Sequence, residues 1–156
     1  MAELNLVEKV IALEGVDLLA GLTPEQLASI AAIATEAEFP PGQVILDADK
    51  PVDALYVVTD GSVELSRSGE DLDVAARNSV LGAWALFDEQ DPLRLGARAL
   101  EDTRLLRIGR DDFYDLLADD SEITAAVFSA LAGRFRRLLG QEDRALREGQ
   151  EIQVAK

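Results

Sequence analysis

The chain has 156 residues, enough for one domain with a real core, and 48% of them are hydrophobic. Acids outnumber bases 30 to 15, and the net charge of −15 repels phosphate backbones and argues against nucleic-acid binding as the main activity. With no Cys and no His, there is no disulfide framework, thiolate nucleophile, zinc site of Cys or His ligands, or Ser-His-Asp triad.

The first apolar periodicity places Leu4, Val7 and Ile11 on one helical stripe, with Leu6, Val10 and Leu13 beside it, and Gly15 ends the helix. Thr23 is an N-cap, Pro24 suits the first turn, and Gln26 completes a capping box before the stripe Leu27, Ile30, Ala31 and Ala34. Pro40-Pro41-Gly42 closes this helical region, assigned to residues 4–35. From about residue 43 the period becomes strand-like. Val44-Ile45-Leu46 is short and apolar, and Ala54-Leu55-Tyr56-Val57-Val58 is β-branched and aromatic. Asp60-Gly61 then leads into the alternating Ser62-Val63-Glu64-Leu65, the pattern of a tight hairpin with a type I′ turn. Weaker strands are expected from Leu72 to Ala76 and from Ala97 to Leu100, and a better one from Thr103 to Ile108.

Helical period returns after Gly109. Asp111 is expected to cap a short helix carrying Phe113, Leu116 and Leu117, and Ser121 a longer one carrying Ile123, Val127, Leu131, Phe135 and Leu138. The boundaries implied are one domain over residues 1–140, with a β-roll at 37–108, C-terminal helices at 111–140 and a frayed polar tail at 141–156. The fold class is mainly β with flanking helices: a jelly-roll-like β-roll, or double-stranded β-helix, with N-terminal helices and a short plus a long C-terminal helix. No apolar run approaches the roughly 20 residues that span a bilayer, and the acidic, amphipathic N-terminus is unlike a secretion signal, so a cytoplasmic protein without membrane insertion is expected.

Charge is uneven. Residues 1–91 hold 18 acids and 4 bases, whereas residues 92–156 hold 12 acids and 11 bases. Arg134, Arg136 and Arg137 cluster on the last helix, either as a solvated face favoured by the helix dipole or as a docking patch for an acidic partner.

Four stretches, in this order, resemble the cyclic nucleotide-binding domain family, the sensor modules of catabolite-activator-type regulators, cyclic-nucleotide-gated channels and kinase regulatory subunits. Residues 19–27 look like its entry helix. Residues 41–45, 53–58 and 61–65 look like its first β-roll strands, 99–108 like the strand leaving the ligand cassette, and Asp111-Asp112-Phe113 like the start of its penultimate helix. The resemblance implies a cassette that binds the sugar phosphate of cyclic AMP or cyclic GMP. In the family's pattern a Gly allows close approach, a Glu accepts from the ribose hydroxyl, and an Arg neutralises the phosphate.

Here the cassette reads Leu81-Gly82-Ala83-Trp84-Ala85-Leu86, and after five residues Pro92-Leu93-Arg94. Gly82, Ala85, Leu86 and Pro92 match the pattern, but Ala83 stands at the Glu position and Leu93 at the Arg position. Removing one partner of a buried charge-assisted pair costs about 2–5 kcal/mol, which takes a micromolar ligand to roughly 30 µM or weaker. Arg94 lies one residue late, and in a strand that shift turns it to the other face unless a bulge restores it. Trp84, the one Trp, is either an amphipathic core residue or the lining of an altered pocket.

The resulting expectation is a regulatory or protein-interaction module that does not bind cyclic nucleotide in the usual mode and requires no cofactor. The alternative is a genuine sensor holding cyclic AMP, cyclic GMP or another small ligand in an altered cassette. A metal-dependent β-roll enzyme lacks its His ligands. A helix-turn-helix is not expected in the short polar stretch after Leu139, so no direct nucleic-acid partner is expected. The partner surface expected is the last helix, where Val127, Leu131, Phe135 and Leu138 either pack on the roll or form a seam with a protein partner or a second copy.

Overall fold

The computed structural model describes residues 3–67, 70–87 and 94–154. Helix α1 (Leu6–Glu14) starts where the Asn5 side chain accepts from the Glu8 N–H at 2.8 Å. It docks through Val10 and the fully buried Leu13, with Leu4 packed beside them, whereas Leu6, Val7 and Ile11 are exposed. Lys9 on this helix donates to the Ala34 carbonyl at 2.9 Å and ties it to the chain there.

A 3-10 turn (Asp17–Leu19) leads to α2 (Pro24–Ile33), whose capping box forms as expected. The Gln26 N–H donates to Thr23 Oγ1 at 3.2 Å, and the Thr23 N–H donates to Gln26 Oε1 at 2.9 Å. Ala34 is already extended, and Thr35 opens a strand rather than closing the helix.

Eight strands follow: β1 (Thr35–Phe39), β2 (Val44–Leu46), β3 (Ala54–Asp60), β4 (Val63–Arg67), β5 (Glu70–Ala75), β6 (Val80–Leu81), β7 (Leu95–Ala99) and β8 (Thr103–Gly109). They form two four-stranded sheets of order β1-β8-β3-β6 and β2-β7-β4-β5, all ladders antiparallel. The expected β-roll is the one found.

The expected hairpin at Asp60-Gly61 is not. β3 pairs with β8 and β6, β4 pairs with β5 and β7, and the turn carries the chain from one sheet to the other. The local sequence asks only for a positive φ, supplied by Gly61 at +92°. Which strands pair is decided by burial. β3 hides both faces, with Val58 turned into the roll and Leu55 and Val57 turned to the helices, so it needs a central place that a simple hairpin would not provide.

Two cores result. One fills the roll with Leu46, Val58, Val63, Leu81, Ala97 and Leu105. The other joins the outer face of the first sheet to the helices through Leu13, Ile30, Leu106, Phe113 and Ile123. Across β1 and β8, the buried Arg104 donates to Glu38 Oε1 at 2.9 Å and lies 4.0 Å from Glu36 Oε1. The Glu36 carboxylate also accepts from the Leu4 N–H, tying the chain before α1 to the sheet.

Helix α3 (Arg110–Asp119) begins at Gly109, earlier than the expected cap, and Asp111 and Asp112 lie in its first turn, where negative charge suits the dipole. Helix α4 (Ser121–Val154) is capped by Asp120, whose Oδ1 accepts from the Glu122 and Ile123 N–H groups at 3.0 and 3.1 Å, not by Ser121. It continues through the segment expected to fray. In sequence, Asp143 and Arg147, Arg144 and Glu148, and Arg147 and Glu151 are spaced four apart, and the segment is rich in good helix formers. Its 34 residues make a rod about 51 Å long at 1.5 Å per residue.

The ligand cassette and the long helix

The cassette begins at the turn between β5 and β6. Asn78, at φ +75°, donates its N–H to the Val58 carbonyl at 2.8 Å, and the Val58 N–H donates to the Ser79 carbonyl at 2.9 Å. β6 thus enters the sheet beside β3, with Tyr56 opposite Leu81 and Val57 opposite Val80. Gly82 then takes φ +74°, and a Cβ there would sit 2.8 Å from the Ala54 carbonyl oxygen and 3.0 Å from Val52. This position requires glycine for backbone approach as well as conformation.

A 3-10 turn, Ala83–Leu86, follows. Its flanks are anchored in different cores: Leu81 (2% exposed) packs in the roll, and Leu86 (1%) packs against the helices. Ala83 also lies on the helix side. Phe87 meets Phe113 edge-to-face with ring centroids 6.3 Å apart, and Tyr114 Oη donates to the Leu86 carbonyl. Leu81 and Leu86 of the expected site are therefore core side chains that hold the cassette in place.

Trp84 and Ala85 lie in the turn by their backbone, and their side chains are outside the described set. Leu93 is outside the described residues. Arg94 is exposed, with φ +46°, immediately before β7, where Leu95 packs against the roll core and Ala97 lies within it.

One cation near the cassette was not singled out from sequence. The register places Leu81, Tyr56 and Arg107 side by side across β6, β3 and β8, so Arg107 lies on the roll-facing side, two strand spacings or about 10 Å from Leu81. Its parity with the roll-core residue Leu105 is the signal that could have found it. Its guanidinium is 3.3 Å from Asp53 Oδ1. Burial alone would lower its pKa, but interactions with Tyr56 and Asp53 outweigh that and hold it above the ordinary arginine value. Arg107 is thus charged and paired with the exposed Asp53. In the loop after β2, the Asp49 N–H donates to Asp47 Oδ1 at 2.9 Å, closing the turn with an aspartate, while Val52 is buried.

On α4 the expected seam divides. Val127 is 2% exposed and belongs to the helix-side core, and Leu131 is half-buried against it. Phe135 and Leu138 are exposed and are joined by Phe128 and Leu139, with Phe128 and Phe135 at 65% and 62%. Among the described residues no group of His, Cys, Asp or Glu is arranged to hold a metal, and no helix is long and apolar enough to cross a membrane.

Comparison with known proteins matches this architecture. The solved N-terminal domain of a transcriptional regulator from Streptomyces coelicolor A3(2) is similar at a TM-score of 0.77 and 30% identity, over 84% of this chain and 94% of that one. A CRP-like cAMP-activated global transcriptional regulator of Mycobacterium tuberculosis is 26% identical over 75% of this chain and 54% of its own length. A cAMP-dependent protein kinase regulatory subunit of Emericella nidulans is 34% identical over 67% of this chain and 26% of its own length. The chain therefore spans about half or less of these two curated relatives. The family model described as cyclic nucleotide-binding domain matches residues 36–120, more than half of the chain. With the two-sheet roll, the Gly82 turn and the closing helices already in place, this chain belongs to the cyclic nucleotide-binding domain family.

Proposed function

We propose that this domain is a regulatory module whose cassette does not hold a cyclic nucleotide in the family's usual mode, and that it acts through protein contact on α4, with a second copy of itself as the partner. The observation that carries the first half is chemical. The cassette keeps its backbone device at Gly82 but has Ala83 and Leu93 where recognition needs a carboxylate and a guanidinium. The nearest guanidinium by register, that of Arg107, is engaged by Asp53.

Melting the protein with and without about 1 mM cyclic AMP or cyclic GMP tests this. A ligand with a Kd of about 10 µM would be present at 100 times its Kd and would add about 2.7 kcal/mol. For a domain of this size that raises the melting temperature by roughly 5–10 °C. The expected shift is none, and a rise of that size overturns the reading.

A second reading, a sensor with an altered cassette, is favoured by Arg94, which is exposed at φ +46° just beyond Leu93 and so departs from strand parity. It predicts saturable binding that Arg94→Ala abolishes.

The self-association half rests on α4. Phe128, Phe135, Leu138 and Leu139 leave a wide apolar stripe in water on a helix of 34 residues. Positions 128 and 135 are one heptad apart, 138 falls at the next inward-facing position, and 139 flanks it. Sedimentation is expected to give a dimer at micromolar concentration, and Phe135→Glu is expected to give a monomer with an unchanged far-UV spectrum. A monomeric parent protein under these conditions would reject this partner.

A further inference from the structure

Behind the cassette, on the helix side, lies a cavity of about 270 Å3 that neither the roll nor the α4 stripe uses. It is built from segments far apart in sequence. Val16 and Leu18, 2% and 4% exposed, line it. Around them stand Asp17 from the first 3-10 turn, Asn78 from the turn before β6, Ala83 at the start of the cassette turn, and Arg134 from α4. Asp17 is exposed, and Arg134 is half-buried and already makes a contact of its own. The cavity thus brings one acidic group, one basic group and one amide together in a mostly polar lining.

We propose that this cavity binds a small zwitterion of the amino-acid class. Its carboxylate would lie on Arg134, its ammonium on Asp17, and its side group on Val16 and Leu18. The guanidinium carries five N–H donors in a fork, so it can receive a carboxylate while keeping another contact. Asn78 supplies both a donor and an acceptor at the rim.

Size agrees with this class. The space of about 270 Å3 has room for a mid-sized amino acid. Charge agrees as well. The molecule carries −15 overall, which disfavours a polyanion, whereas a zwitterion carries no net charge into that field and meets both signs at the site. Because Ala83 and Arg134 both line the space, a bound molecule bridges the cassette turn to α4 whether or not the roll accepts a cyclic nucleotide.

The test uses the full chain and follows the backbone amide signals of Leu18, Asn78 and Ala83 by NMR. Alanine, valine, leucine and methionine are titrated one at a time to about 10 mM, the range of weak small-molecule affinities. At least one is expected to shift these amides saturably. For that amino acid, the matching carboxylic acid without the amine and the matching amine without the carboxylate should each bind about tenfold weaker or worse, the scale of one lost charged hydrogen bond. Asp17→Asn, at an exposed position that leaves the fold alone, and Arg134→Gln should weaken binding similarly, and Arg136→Gln should not. No saturable shift from any of the four, equal affinity for the acid lacking its amine, or full affinity in Asp17→Asn overturns the proposal.

Discussion

Phe113→Ala is expected to destabilise the domain by about 3–5 kcal/mol, the usual cost of emptying a buried aromatic site. Phe113 is 2% exposed and sits where three parts of the molecule meet: the sheet's outer face, α3 and the segment just after the cassette turn. Its ring takes Phe87 edge-on at 6.3 Å and lies tilted to Tyr114 at 6.4 Å, so the substitution also removes an aromatic pair worth about 0.5–1.5 kcal/mol beyond its area. The melting temperature followed by circular dichroism should fall by roughly 6–20 °C, at about 2–4 °C per kcal/mol for a domain of this size. Amide exchange should rise most at residues 80–87, because Phe87 loses its packing partner there, and least in β4 and β5, which rest on the roll core. A loss below about 1 kcal/mol would mean that the site collapses around the missing ring and that the cassette is not held from this side.

Gly61→Ala is expected to cost about 2–5 kcal/mol, although it adds a single methyl group. Gly61 has φ +92°, and an added Cβ would lie 2.6 Å from the Asp102 carbonyl oxygen and 2.8 Å from the Thr103 Cα. Those neighbours are backbone at the start of β8, the strand that pairs with β1 and β3, and cannot step aside without moving the first sheet. The left-handed conformation costs about 1–2 kcal/mol, and forcing a group into packed surroundings adds about 1–3 kcal/mol. Gly42→Ala separates the two effects. Gly42 has φ +86° with nothing within 4 Å of its added Cβ, so only the conformational part should appear. Denaturant midpoints for the two variants should therefore differ clearly at equal slope. Equal midpoints would show that the corner between the sheets yields to the methyl group.

These two positions also mark how much was legible in the sequence. Phe113 stood out as the anchor of a short helix from its spacing to Leu116 and Leu117. Gly61 was readable as a turn glycine, but the turn it makes was not readable. Asp-Gly reports only that a positive φ is available, and a hairpin and a corner between sheets both use one. The Thr23–Gln26 capping box formed as written because both partners lie within one helical turn. The cap of α4 moved by one residue because Asp120 and Ser121 offer similar local chemistry, and the helix geometry uses the carboxylate.

The family's backbone device at Gly82, and the loss of its two polar side chains at Ala83 and Leu93, were legible because each depends on residue type at a fixed place in the chain. Leu81 and Leu86 were expected near a ligand, and their burial in two separate cores could not be read from a six-residue segment.

By itself, the sequence determined what depends on neighbours along the chain: the capping box, the strand-like period between the helices, the turn glycines, the chemistry missing from the cassette, and an acidity that repels polyanions. Only the tertiary structure decided the rest. It set which strands pair across Asp60-Gly61, which stripe of α1 is buried, which part of the α4 stripe remains in water, and that Asp17, Asn78, Ala83 and Arg134 surround one cavity. The reason is physical. Local preferences are about 1 kcal/mol or less per residue and often equal for two alternatives, while burying a side chain contributes about 1.5–3 kcal/mol and depends on which distant segment arrives to cover it.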